Sequence, residues 1–238
     1  MKKLTLSGLI VSFTAITLLL GGCAGSYQAR SVDLKPEGIL VNPAIFQEGT
    51  GDQALYRYVN PAVNLKQYTK VMIEPVLIYK QAELGQGELE NYQKLANNAF
   101  VFLNQELATQ LSVVTVPGPD TLMLQLAIVD ADSSKPVRNL LSSVMPIGIG
   151  VSILKYGATG KQSGVGEITV ELRATDAVTG QLIGAAYDRR VGGKAAQGIW
   201  DTWYNADQAL QYWAKKCAWF ICDAKGGANC VKPANSNN

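Results

Sequence analysis

Two stretches far apart in the chain each carry a single apolar stripe at helical spacing. In 88–111, Leu89, Tyr92, Ala96, Ala99, Leu103 and Leu107 recur at steps of three and four, while Asn91, Lys94, Asn98, Asn104 and Gln105 fall mostly outside the stripe. In 201–221 the stripe is Trp203, Ala206, Leu210, Trp213, Cys217 and Phe220. A helix with one apolar face needs one apolar surface to bury it, and the rest of the chain offers strands. The run 70–79 is β-branched and almost continuously apolar, which reads as a largely buried strand, with Pro75 at an edge position or bulge because it cannot donate to a ladder. A short strand at 113–116 and the turn 117–120 lead to 121–129. There Leu122, Leu124, Leu126 and Ile128 share one face, and Met123, Gln125 and Ala127 share the other. The segment 167–173 alternates with Ile168, Val170 and Leu172 inward. The stretch 176–180 then turns, since Asp176 can bond the amides ahead of it and Gly180 permits positive φ, and 181–190 returns as the partner strand. This element order predicts an α+β fold: a two-layer domain with a largely antiparallel or mixed sheet of about four or five strands and two amphipathic helices packed on one face.

The N-terminus predicts an address. Met1-Lys2-Lys3 is basic, Leu4 to Leu20 is uncharged and apolar, and small Gly21 and Gly22 precede Cys23. This is the pattern of an export signal, and its apolar core is short against the roughly 20 residues of a membrane span. Leu20, Gly21, Gly22 and Cys23 resemble a lipobox, which implies cleavage between Gly22 and Cys23 and acylation of the Cys23 thiol with diacylglyceryl and palmitate-type chains. Two or more chains give stable attachment. The alternative is an ordinary signal peptide with an incidental cysteine. Ala24, where an Asp would favour inner-membrane retention, points to the periplasmic face of the outer membrane of a Gram-negative bacterium.

Composition narrows the chemistry. Once Lys2 and Lys3 leave with the leader, 19 basic residues face 19 acidic ones with no long run of either, which argues against nucleic acid as a partner. The chain has no histidine, so the commonest general base, triad partner and zinc ligand are absent together. No metal or cofactor is expected, and the protein is read as a non-enzyme.

The chain then divides into a signal peptide (1–22), a lipidated tether (23–52), a single domain (53–224) and a mobile tail (225–238). Within the tether, Ile39, Leu40 and Val41 could add a short edge strand. Tyr56 and Tyr58 read as packing residues. The segment 140–154 is apolar and interrupted by Pro146, Gly148 and Gly150. As a helix it would reach about 22 Å, short of the roughly 30 Å hydrocarbon core. It reads as a buried loop or broken hairpin, or alternatively as a flap that touches membrane or partner. Of Cys217, Cys222 and Cys230, oxidising surroundings favour one pair and leave one thiol over. Cys217 lies on an apolar stripe, which leaves Cys222 and Cys230 as the expected disulfide and Cys217–Cys230 as the competing one.

Several motifs fail on inspection. Around 157–162 a P-loop would need glycine at Lys155 and Ser or Thr at Gln162. Gly148 with Gly150, and Gly164 with Gly166, lack the third glycine of a dinucleotide fingerprint. Asp130 and Asp132 read as a strand end in solvent. Glu167 and Glu171 share a strand face and read as solvated, and 188–190 reads as a charged strand end.

Tyr56 to Pro61, 68–79 with Glu74-Pro75-Val76, Pro117-Gly118-Pro119, 127–130, Pro146-Ile147-Gly148, 176–180 and 203–214 form a series that resembles the bacterial lipoproteins grouped as domain of unknown function 3313. The resemblance implies an envelope lipoprotein and supplies no catalytic residues. The expected function is an adaptor or assembly component with an envelope protein partner. A carrier of lipid or a small apolar ligand beneath 140–154, with Ile149 and Ile153 against the ligand, is the alternative.

Overall fold

The computed structural model describes residues 26–28, 35–79, 86–129, 142–144, 167–191 and 202–235. At its centre is β7 (Thr121–Val129), whose inward side chains Leu122, Leu124, Leu126 and Ile128 are all buried. On one side β7 pairs antiparallel with β9 (Glu167–Asp176), and β9 pairs antiparallel with β10 (Leu182–Val191). In the connecting turn Asp176 Oδ1 accepts the amides of Val178 and Thr179 at 3.0 and 2.8 Å, and Gly180 sits at φ +70°.

On its other side β7 runs parallel to β4 (Lys70–Ile73) and β5 (Val76–Tyr79). These two are one path broken at Glu74 and Pro75. The Glu74 amide still donates to Leu124, at 2.8 Å, and the missing donor falls at Pro75. Parallel neighbours need a crossover, which α1 (Gln86–Leu107) supplies. The second helix, α2 (Thr202–Ala224), packs beside α1, and together they cover one sheet face. Tyr92, Leu95, Ala96, Ala99, Leu103 and Leu107 of α1 are buried against it.

The α2 stripe differs at its end from the one read in the sequence. Ile221 and Ala214 are buried, while Phe220 is exposed. A strict three–four repeat drifts about 20° per heptad around a straight helix, and by Phe220 the drift has carried the stripe off the sheet.

The fold is α+β with a mixed sheet, but it is larger than four or five strands. Ten strand segments join in one sheet among the described residues. The expected short strand at 113–116 is present as β6, shifted to Ser112–Val113, and the extra ones are β1 (Tyr27–Gln28), β2 (Gln47–Glu48), β3 (Tyr56–Val59) and β8 (Ser142–Val144). All are too short to display a period. β8 pairs antiparallel with β5 and is the only part of 140–154 within the described residues, so Ile149 and Ile153 lie outside them.

The sheet face away from the helices is also covered. Leu40 and Leu55 are buried with Leu77, Tyr79, Ala127, Val129 and Tyr187, and Ile39, Val41, Phe46 and Tyr56 pack around them. The stretch 35–52, expected as tether, is therefore a thin third layer. Ile39 to Val41 form no strand; they are a bend seated over β9.

Candidate functional site

Ser26 to Gln28 lie at the edge of β10. Tyr27 and Gln28 pair with Val191 and Arg190. Beneath them, Asp188 and Arg190 point from β10 toward α2, at only 4 % and 1 % exposure. Asp188 accepts three hydrogen bonds: from Gln28 Nε2 at 2.6 Å, Trp213 Nε1 at 2.8 Å and the Leu55 amide at 3.1 Å. Arg190 donates through Nε to Ser26 Oγ at 3.0 Å, through a second nitrogen to the Ser26 carbonyl, and to Asn235 Oδ1 at 3.3 Å. Its guanidinium lies 3.6 Å from the centre of the Tyr212 ring. Two buried charged groups thus tie together Ser26 to Gln28, the covering layer, α2 and the tail as far as Asn235.

The tail is pinned. Cys222 and Cys230 form a disulfide, and the chain then runs back along α2. Lys232 pairs with Asp52 at 2.8 Å, Lys216 pairs with the same carboxylate, and both ammonium groups lie over the Trp219 ring at 4.9 and 4.5 Å. As far as Asn235 this corrects the expectation of a mobile tail. Cys217 keeps a free thiol packed against the core, and burial pushes it up to about 12, far from a thiolate at neutral pH. Between α2, the end of α1 and the returning tail lies an open cleft of about 640 Å³, lined among others by Ser26, Arg190, Tyr212, Lys215, Trp219 and Lys232.

On the opposite sheet face, Glu171 is fully buried. Its carboxylate accepts three successive amides, from Ile39 at 2.9 Å and from Leu40 and Val41 at 3.0 Å. Arg173 donates to Gln125 Oε1 at 2.6 Å and to the Leu40 carbonyl at 3.4 Å, and pairs with Glu74 at 3.4 Å. Glu171 clamps the covering layer to the sheet, and is not the solvated carboxylate that alternation suggested.

Gly22, Cys23, Asp130 and Asp132 lie outside the described residues. Neither Asp188 nor Arg190 was read as interior, yet a signal existed. In the hairpin register they stand opposite Val170 and Ile168, and cross-strand partners share a face, so two residues read as inward point to two more. Glu171 gave no comparable signal, because its cover is aperiodic loop.

Burial pushes the Asp188 carboxyl above its ordinary 3.8, against the pull of its three donors and Arg190. The stability this group contributes is therefore fully present below pH 3.8 and is lost as pH rises through the folded value. Lys216 and Lys232 hold Asp52 down at about 2 instead, so its contribution is present above 3.8 and lost as pH falls through 2. Asp52 is common to wild type and Asp188→Asn and drops out of their comparison. The difference in unfolding free energy between the two should move against wild type as pH rises from below 3.8 to neutrality. Urea titrations across that range check this; a pH-independent difference would mean that the carboxyl is unperturbed.

Comparison with known proteins decides the family. The model of the protein of unknown function family DUF3313 matches residues 35–217, from the covering layer to the last turns of α2. The chain belongs to this family. Similar proteins include the uncharacterized lipoprotein YdcL of Escherichia coli K12 and of E. coli O157:H7, each 26 % identical over 180 residues, covering 73 % of this chain and 74 % of theirs. Among solved structures, the PelC dodecamer from Paraburkholderia phytofirmans aligns with a TM-score of 0.36 at 12 % identity, over 73 % of this chain and 96 % of that one. Among the described residues no helix is long and apolar enough to cross a membrane.

Proposed function

We propose that the protein is a lipid-anchored envelope component, acylated at Cys23 on the periplasmic face of the outer membrane. There it acts without catalysis, as an adaptor or assembly factor for an envelope protein. The observation that carries this is the position of Ser26 to Gln28. Ser26 to Gln28, three residues beyond Cys23, are held on the sheet edge by Arg190 and Asp188, so an anchor at Cys23 is coupled directly to a folded domain. The likeness to lipoprotein YdcL supports the same reading. The two best-buried carboxylates are occupied in fixing the chain, and neither lines the cleft.

Cys23→Ser should move the protein from the membrane fraction to the soluble periplasmic fraction, as read by fractionation and blotting. Membrane association unchanged by the substitution would end the anchor reading. The adaptor role is tested by crosslinking the lipidated protein in cells and identifying what is captured. A single envelope protein at near-stoichiometric yield supports it; bound lipid with no protein supports the carrier reading instead.

A further inference from the structure

We propose that the cleft between α2 and the returning tail is the surface this domain lays on an anionic phospholipid bilayer. The inference rests on acylation of Cys23. Three residues of extended chain span at most about 11 Å. Ser26 is both a wall of the cleft and the residue Arg190 grips, so the cleft cannot be far from the headgroups in which the anchor sits.

The composition of the surface fits that neighbour. Residues 215–235 hold Lys215, Lys216, Lys225 and Lys232 against the single acid Asp223, in a chain whose charges beyond the leader balance. Glu106 is an acid in the cleft lining, and Asp52 nearby is already shared by Lys216 and Lys232. Lys225 is engaged with the Tyr68 carbonyl, whereas Lys215 and Lys232 are exposed. Apolar groups stand among these charges. Val231 is 84 % exposed, Phe220 lies one turn beyond Lys216, and Tyr27 is exposed next to Ser26. Lysines near an anionic membrane surface each gain attraction, and Trp and Tyr favour the headgroup level. The cleft is large and polar enough to admit headgroups and carries Trp219 in its wall.

The test uses the full lipidated protein, without substitution, in two kinds of vesicle: phosphatidylethanolamine with phosphatidylcholine, and phosphatidylethanolamine with phosphatidylglycerol. A water-soluble acetylating reagent labels exposed lysines, and mass spectrometry reads each site. Lys70, half-exposed on β4 and three strands across the sheet from β10, is the internal reference. In phosphatidylglycerol vesicles Lys215 and Lys232 should lose labelling about fivefold relative to Lys70. Equal labelling in both vesicles, or protection of Lys70 instead, overturns the proposal while flotation with the vesicles leaves the anchor standing. Protein that does not float overturns the anchor reading, and this inference with it.

Discussion

Asp188→Ala should be among the most damaging single substitutions in this protein, lowering unfolding free energy by about 3–5 kcal/mol. Three donors converge on that carboxylate: the Trp213 indole, the Gln28 side chain and the Leu55 amide. Each donor left unsatisfied in the interior costs about 1–3 kcal/mol, and Arg190 loses the attraction of that carboxylate. Against a total stability of about 5–15 kcal/mol, this is a large fraction. Asp188→Asn should cost much less. Its amide oxygen keeps one acceptor in place, either for the Trp213 indole or for the Gln28 and Leu55 donors, so fewer donors are orphaned than in the alanine variant. Urea unfolding of the two variants separates the outcomes. An alanine variant within about 1 kcal/mol of wild type would show that the network contributes little and that the N-terminal strand is held by its backbone pairs alone.

The second large effect falls on the other face of the sheet. Glu171→Ala removes the acceptor for three consecutive amides, Ile39, Leu40 and Val41, and leaves Arg173 with one fewer negative neighbour. A loss of about 2–4 kcal/mol is expected, below the sum of three buried donors because only the Leu40 bond is fully buried. Its signature should be local. With the clamp gone, 35–55 can lift from Tyr187, Leu77 and Val129 while the helix side of the sheet stays closed, and local opening of this kind precedes global unfolding. Hydrogen exchange should show the amides of Ile39 to Val41 losing protection while those of β7 keep theirs. Uniform loss across β7 as well would mean that the covering layer is part of one cooperative unit. In Asp188→Ala the early opening should appear at Leu55 instead, which distinguishes the two lesions.

Much of the helix side was legible because it is periodic. The stripe of α1, the alternation of β7 and the β9–β10 hairpin follow from spacing alone. What escaped reading has a common physical cause. β1, β2, β3 and β8 are two to four residues each, too short for a repeat to show, and they are recruited by neighbours already in place. The covering layer at 35–55 is aperiodic because a loop over a sheet follows the surface beneath it, and Leu40, Phe46 and Leu55 sit at no fixed interval. The buried charges were misjudged for a related reason. A carboxylate in a sequence reads as solvent-facing until its donors are known, and those of Glu171 and Asp188 are backbone amides, an indole and a side-chain amide from distant segments, none of which announces itself by residue type. The position of Ser26 to Gln28 was lost in the same way, since two residues of β1 and one arginine 164 positions from Ser26 decide it.

That arginine sets how the protein can meet anything else. A free leash of some thirty residues would let a domain swing through a volume about 100 Å in radius, sampling the space between the membranes. If Cys23 is acylated as proposed, a domain that grips its own Ser26 exchanges swinging for sliding. Under that anchor, encounters would become collisions in a plane between molecules that share a leaflet, at rates set by lateral diffusion and surface density.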